Sequence, residues 1–283
     1  MKWLLGVLLL LGWALAQGST IRVVAASDMQ FALTEIASKF ERDNPGLRVQ
    51  LSFGASGAFY TQITQGLPAD LFFSADESFP KLLEEKGLVE AGTSRMHAVG
   101  RLVLWVRNDL VAQGLDPQKL GPKLLLNPQV TRLALATPVT APYGRAAVSL
   151  LEGVGLMQAT RRVAWEEMTA GIPAFYNVSA LSRGKPSFTF VYGQNVSQAA
   201  QLALTSTGVG IVALSIARSE TMEKAGKYWL APLASHLRLN QTYVILKGQD
   251  RPSVRRFYAY ADSAEARLVM RRYGFGLPGE KLD

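Results

Sequence analysis

The sequence predicts an α/β protein of two lobes, each a mostly parallel sheet flanked by helices, with a cleft between them. Three observations predict it. Between Ile21 and Gly87, short apolar runs alternate with amphipathic helical patterns in the order β-α-β-α-β-α. The pattern restarts beyond a longer apolar run, Arg101–Val106. Turns of small and polar residues between a strand and a helix occur twice in each half.

The elements follow in order. Ile21–Ala26 reads as a buried strand, Ser27-Asp28 as a tight turn, and the next stretch as a helix with Met29, Leu33, Ile36 and Phe40 on one face. Arg48–Phe53 is a second strand, Ala58–Gly66 a helix, Asp70–Ala75 a third strand, and Phe79–Lys86 a helix stopped by Gly87. After Arg101–Val106 come the strand Arg132–Ala136, a helix over Tyr143–Gly153, the strand Phe188–Tyr192, a helix over Val196–Leu204 and the strand Gly210–Leu214. Gln241–Lys247 closes the set of strands, and Ser253–Tyr260 and Ala264–Tyr273 are helices. No repeat or low-complexity segment interrupts this order.

The chain has 283 residues, 48% hydrophobic and 18% charged, which is an ordinary globular composition. Its net charge of +8 suits an anionic partner. The basic residues are scattered without an Arg/Lys block, so nucleic acid is not an expected partner. The start reads as an export signal: Lys2, an apolar run Trp3–Trp13, and a small-x-small site at Ala14-Leu15-Ala16. Cleavage after Ala16 would leave a soluble periplasmic protein. There is no Cys, which excludes a lipid anchor at the cleavage point, a disulfide framework and thiol chemistry. The expected organisation is a removed signal over 1–16, lobe I from 17–100 and 241–283, and lobe II from 101–240, with hinges near 101 and 241. A monomer is expected.

Four junctions could carry function: Ala26-Ser27-Asp28, Gly54-Ala55-Ser56-Gly57, Ala141-Pro142-Tyr143-Gly144 and Gln194-Asn195-Val196-Ser197. In parallel sheets such turns lie at the carboxyl ends of strands, where ligands bind. Helix N-termini present free N–H groups and a positive dipole end, so four of them could seat one anion. Gly54 and Gly57 would let backbone approach a ligand, and Pro142 suits helix entry. No junction brings a cation; Arg145 is the nearest. Four ordinary capped helices would leave the same pattern.

The segments VVAASDMQFALTEIASKF (23–40), LSFGASGAFYTQITQGLPADLFFSADE (51–77), TPVTAPYGRAAV (137–148), VYGQNVSQAAQLALTSTGVGIVALS (191–215) and RRYGFGLP (271–278) resemble the molybdate-binding periplasmic proteins of ABC importers, which have the type II periplasmic binding-protein fold. The resemblance spans nearly all of the chain beyond the signal. It implies a receptor, not an enzyme, that needs no cofactor, takes molybdate or tungstate and delivers it to a membrane ABC permease. It places Ser27 and Ser56 as hydroxyl and backbone donors from one lobe, and the N–H groups of Tyr143 and Val196 as donors from the other. All would contact the anion's oxygens and not its metal. Asp28 stands where some relatives have a neutral residue such as Asn, so its side chain is expected to turn to the helix cap or leave only its backbone to the ligand. Ala213 stands where some members have Tyr. The segment Glu166–Phe188 is longer than usual, and its Asn177-Val178-Ser179 sequon reads as chance.

Other readings are weaker. Ser56 could be a hydrolase nucleophile, but G-x-S-x-G is not met there, and His97 and His236 are expected in polar loop or surface settings. Gly208-Val209-Gly210-Ile211-Val212-Ala213 matches G-x-G-x-x-A but precedes a strand where a dinucleotide fingerprint would open a helix. Glu84-Glu85 and Glu166-Glu167 read as solvated helix faces, and Phe257, Tyr258 and Tyr260 as packing. Sulfate or phosphate remains an alternative ligand.

Overall fold

The computed structural model describes residues 19–156, 158–159, 178–179 and 188–282. The signal segment, Asn177 of the sequon, Glu166-Glu167 and nearly all of the long 166–188 segment lie outside the described residues.

The first sheet has the order β2-β1-β3-β12-β4, formed by β1 (Ser19–Ala26), β2 (Leu47–Gly54), β3 (Leu71–Ser74), β4 (Arg95–Gly100) and β12 (Leu239–Ile245). The second has the order β11-β5-β10-β6-β9, formed by β5 (Leu102–Arg107), β6 (Arg132–Ala136), β9 (Thr189–Gly193), β10 (Val209–Ala213) and β11 (Gly226–Leu230). Gln158–Ala159 and Val178–Ser179 form a separate two-residue ladder, β7 and β8. β1 pairs in parallel with β2 and β3, and β6 with β9 and β10. β12 is antiparallel to both its neighbours, and so is β5. Each sheet therefore has one reversed strand, and that strand is the first the chain lays down after changing sheets.

Helices fill the faces of the first sheet as the apolar spacing requires. Met29, Leu33, Ile36 and Phe40 are all buried, though Met29 closes a 3-10 turn over Ser27–Met29 and α1 proper runs Gln30–Asp43. With α10 (Pro252–Tyr260) and α11 (Ala264–Arg272), α1 covers the face bearing Ile21, Val23 and Ala25. α2 (Ser56–Thr64) and α3 (Ser78–Glu85) cover the opposite face through Phe59, Ile63, Phe79 and Leu83. In the second sheet, α6 (Pro142–Gly153) and α7 (Val196–Leu202) pack on strands buried along almost their whole length. The short α4 (Asn108–Ala112), α5 (Pro117–Leu120), α8 (Leu214–Ala217) and α9 (Glu220–Ala225) complete the set. α9 also receives the indole of buried Trp105, whose N–H donates to Met222 O at 3.2 Å. Gly208, at φ 72°, ends a π-helical turn and leads into β10, so the glycines of the G-x-G-x-x-A match enter a strand. No described helix is long and apolar enough to cross a membrane.

The chain passes between sheets twice. Arg101 alone links β4 to β5, and residues 231–238 link β11 to β12. Phe257 and Tyr258 are buried, and Glu84 and Glu85 exposed, as their patterns imply.

Candidate functional site

All four junctions open on one pocket, which Ser27, Asp28, Ser56, Tyr143, Asn195 and Val196 help to line. Its volume is about 180 Å³, including the part open to solvent. Among the described residues, no Lys or Arg lines it.

Each junction brings a helix start. Ser56 is the first residue of α2, Pro142 opens α6 with Tyr143 next, and Val196 opens α7 behind the cap Asn195. First-turn N–H groups have no acceptor within their own helix. Asn195 Oδ1 satisfies the Gln198 N–H at 3.0 Å, and Ala141 O takes those of Gly144 and Arg145. The N–H groups of Tyr143 and Val196 stand ahead of these bonds, at the helix mouths.

Neither serine caps its own helix. Ser27 Oγ accepts from the Ser197 N–H of the other lobe at 3.3 Å. Ser56 Oγ accepts from the Ala75 N–H at 3.0 Å. A hydroxyl has one proton to donate, and both serines are held as acceptors, so each keeps its O–H for the pocket. Ser27 thus takes a first-turn N–H of α7 in the other lobe, and neither hydroxyl caps the helix that it opens.

Asp28 does not turn to the helix cap, one of the two arrangements expected of it. Its carboxyl makes no cap bond; Oδ2 accepts from Gln241 Nε2, and the Tyr143 hydroxyl stands beside it. Asp28 and Gln241 are fully buried and Tyr143 nearly so. Burial pushes the Asp28 carboxyl up to about 6, opposed by the Gln241 amide bonded to Oδ2 and by the Tyr143 hydroxyl close by. Burial, with Asp28 close by, also drives the Tyr143 hydroxyl well above its ordinary value, so it stays protonated.

The lobes touch around this pocket. Gly57 N donates to Thr140 O at 2.8 Å, Ser197 Oγ to Ser27 O at 3.0 Å, and Ser215 Oγ to Asp28 O at 2.8 Å. Arg145 Nη2 meets Asp76 Oδ2 at 2.5 Å, with the two side chains 8% and 12% exposed, and its guanidinium lies 5.1 Å from the Phe79 ring centre. The glycine reading changes accordingly. A Cβ on Gly57 would sit 2.8 Å from Thr140 O and 2.7 Å from the Phe79 ring, so Gly57 admits the opposite lobe's backbone. Gly54 admits the Phe59 ring.

His97 is not the polar loop residue expected, whereas His236 does lie in a loop, the 231–238 link, though buried there. His97 lies in β4, 2% exposed, edge-on to Phe73 and Tyr243, and burial pushes it down to about 4. His236 is also buried, with Nδ1 2.8 Å from Leu237 O. Neither lines the pocket with Ser56, so no histidine serves that hydroxyl there. Sequence reasoning missed Gln241, Ser197, Ser215 and the Arg145–Asp76 pair. A Gln opening an otherwise apolar strand was the one available signal.

Two sheets joined by paired crossings, with converging helix N-termini in the cleft, define a bilobal solute-binding protein. The chain belongs to the family described as bacterial extracellular solute-binding proteins, whose pattern matches residues 21–276. It is 33% identical to the molybdate-binding protein ModA of Azotobacter vinelandii over 93% of this chain and 92% of the relative. It is 32% identical to ModA of Rhodobacter capsulatus, over 94% and 92%. The solved structure of the Azotobacter vinelandii periplasmic molybdate-binding protein superposes with a TM-score of 0.72 at 26% identity, covering 91% of this chain and 99% of that one.

Proposed function

We propose that this protein is an exported, periplasmic receptor that captures molybdate or tungstate in its interlobe cleft and delivers it to an ABC permease. It acts as a monomer and performs no chemistry on the ligand. The observation that carries this reading is the convergence of four helix starts, two from each lobe, on one small pocket lined by no cation among the described residues. Ser27, Ser56, Tyr143 and Val196 supply O–H and N–H donors to the anion's oxygens, and helix dipoles supply the positive field. The molybdate-binding relatives support the choice of anion. Residues 17–100 with 241–283, and 101–240, act as two bodies that close on the ligand about the two chain crossings. Closure is favoured because the ligand gains contacts from both lobes only in that state.

Calorimetric titration of the mature chain tests the proposal. Molybdate and tungstate should bind far more tightly than sulfate or phosphate, and Ser27→Ala should weaken molybdate binding without unfolding the protein. Equal or tighter sulfate binding refutes the ligand. Turnover of an ester substrate, lost in Ser56→Ala, would restore the hydrolase reading.

A further inference from the structure

Asp28 is the only acidic residue among the described residues that line the pocket. Its Oδ2 is held by Gln241 Nε2, and its Oδ1, also buried, has no hydrogen-bond partner among the described residues. Tyr143 is the titratable group that faces it. The elements packed around the Ser27–Met29 turn bring no cation to this carboxyl. α7 and α8 carry no ionisable residue, and Arg48 of β2 is largely exposed. Arg22 of β1 is committed to Asp70, and Glu35, the first charged residue of α1, to Arg272. Arg145 of α6 holds Asp76, and Arg101 lies toward Arg218 and His236. An ionised carboxylate here would face a bound dianion in a desolvated site with no cationic side chain among the described residues beside it, which disfavours that state.

We propose that the anion is bound with Asp28 as the neutral acid, its Oδ1–H donated to a ligand oxygen, so that capture of a fully deprotonated dianion takes up one proton from solvent. The proposal rests on the pocket being the oxyanion site. The unpartnered Oδ1 becomes one more donor, and Gln241 fixes the other oxygen as acceptor, which decides where the proton sits. Burial has already brought the carboxyl to about 6 in the ligand-free chain, so protonation near neutral pH is accessible. Hydrogen phosphate would bring its own proton and needs none from Asp28.

The test is titration calorimetry of the mature chain with sodium molybdate at pH 6, 7 and 8, each in two buffers of different ionisation enthalpy. With a free carboxyl titrating at about 6, affinity should fall about 50-fold from pH 6 to 8, and proton uptake should rise from about one half to about one per anion. Asp28→Asn, which carries a permanent N–H donor at the same place, should bind with no linked proton and no such slope. Tight, pH-independent binding by the wild-type chain with no proton uptake overturns the proposal while leaving the site intact. Failure of the wild-type chain to bind molybdate at any of these pH values overturns the reading of the pocket itself.

Discussion

Arg145 and Asp76 form the most deeply buried charge pair between the two lobes, and cutting it isolates closure from folding. In an open cleft both side chains return to water; in the structure they are 8% and 12% exposed and 2.5 Å apart. Removing one partner of a buried pair strands the other charge, at a cost of about 3–5 kcal/mol. That cost falls on the closed state alone. At 1.4 kcal/mol per tenfold, Arg145→Met, which strands the Asp76 carboxylate, should weaken anion binding by about two to three and a half powers of ten. Adding Asp76→Asn removes that stranded charge and should recover much of the loss, giving a coupling energy between the two sites. Calorimetry measures the affinities, and thermal unfolding without ligand serves as the control. An Arg145→Met variant that binds as tightly as wild type would refute the reasoning. So would ligand-free destabilisation as large as the loss in binding, because the pair would then belong to the fold and not to its closure.

Two further outcomes follow from the same geometry. Gly57→Ala places a methyl group 2.8 Å from Thr140 O across the cleft and 2.7 Å from the Phe79 ring in its own lobe, so it should weaken binding at least tenfold and also lower the ligand-free melting temperature as the Phe79 ring gives way; calorimetry and thermal scans check both. His97 is pushed down to about 4 from an ordinary 6.5, so its neutral form stabilises the fold above pH 6.5 and that contribution is lost as pH falls through 4. About 3 kcal/mol should disappear across that window in urea titrations, and His97→Phe should flatten the profile.

The α/β order and the helix faces were legible because apolar spacing dictates them locally. Phe40 and Leu33 announce a buried helix face wherever the rest of the chain lies. β4 and β11 were not legible. Arg95-Met96-His97-Ala98 has no clean alternation, and its burial comes from β12, far along the chain. Gly226-Lys227-Tyr228-Trp229 lies at the sheet's edge, half-buried, where strand signals fade. In the site, the turn residues could be read because helix starts are local events. Gln241 and Asp28 could not be paired from sequence, since only tertiary packing brings β12 beneath the Ser27 turn. Burial also made Asp28's charge a property of its surroundings, which residue type alone does not reveal.

The placement of β12 bears on the order in which the molecule can assemble. The second sheet is built from one continuous stretch, Leu102 to Leu230, and can form once that stretch is available. The first sheet cannot, because β12 lies between β3 and β4. Until residues 239–245 arrive, β3 and β4 have an open edge each and the Asp28 carboxyl lacks Gln241. A chain emerging from its amino end would thus finish its first-made lobe last. It would stay open to transport and to chaperones until nearly the whole sequence had been delivered.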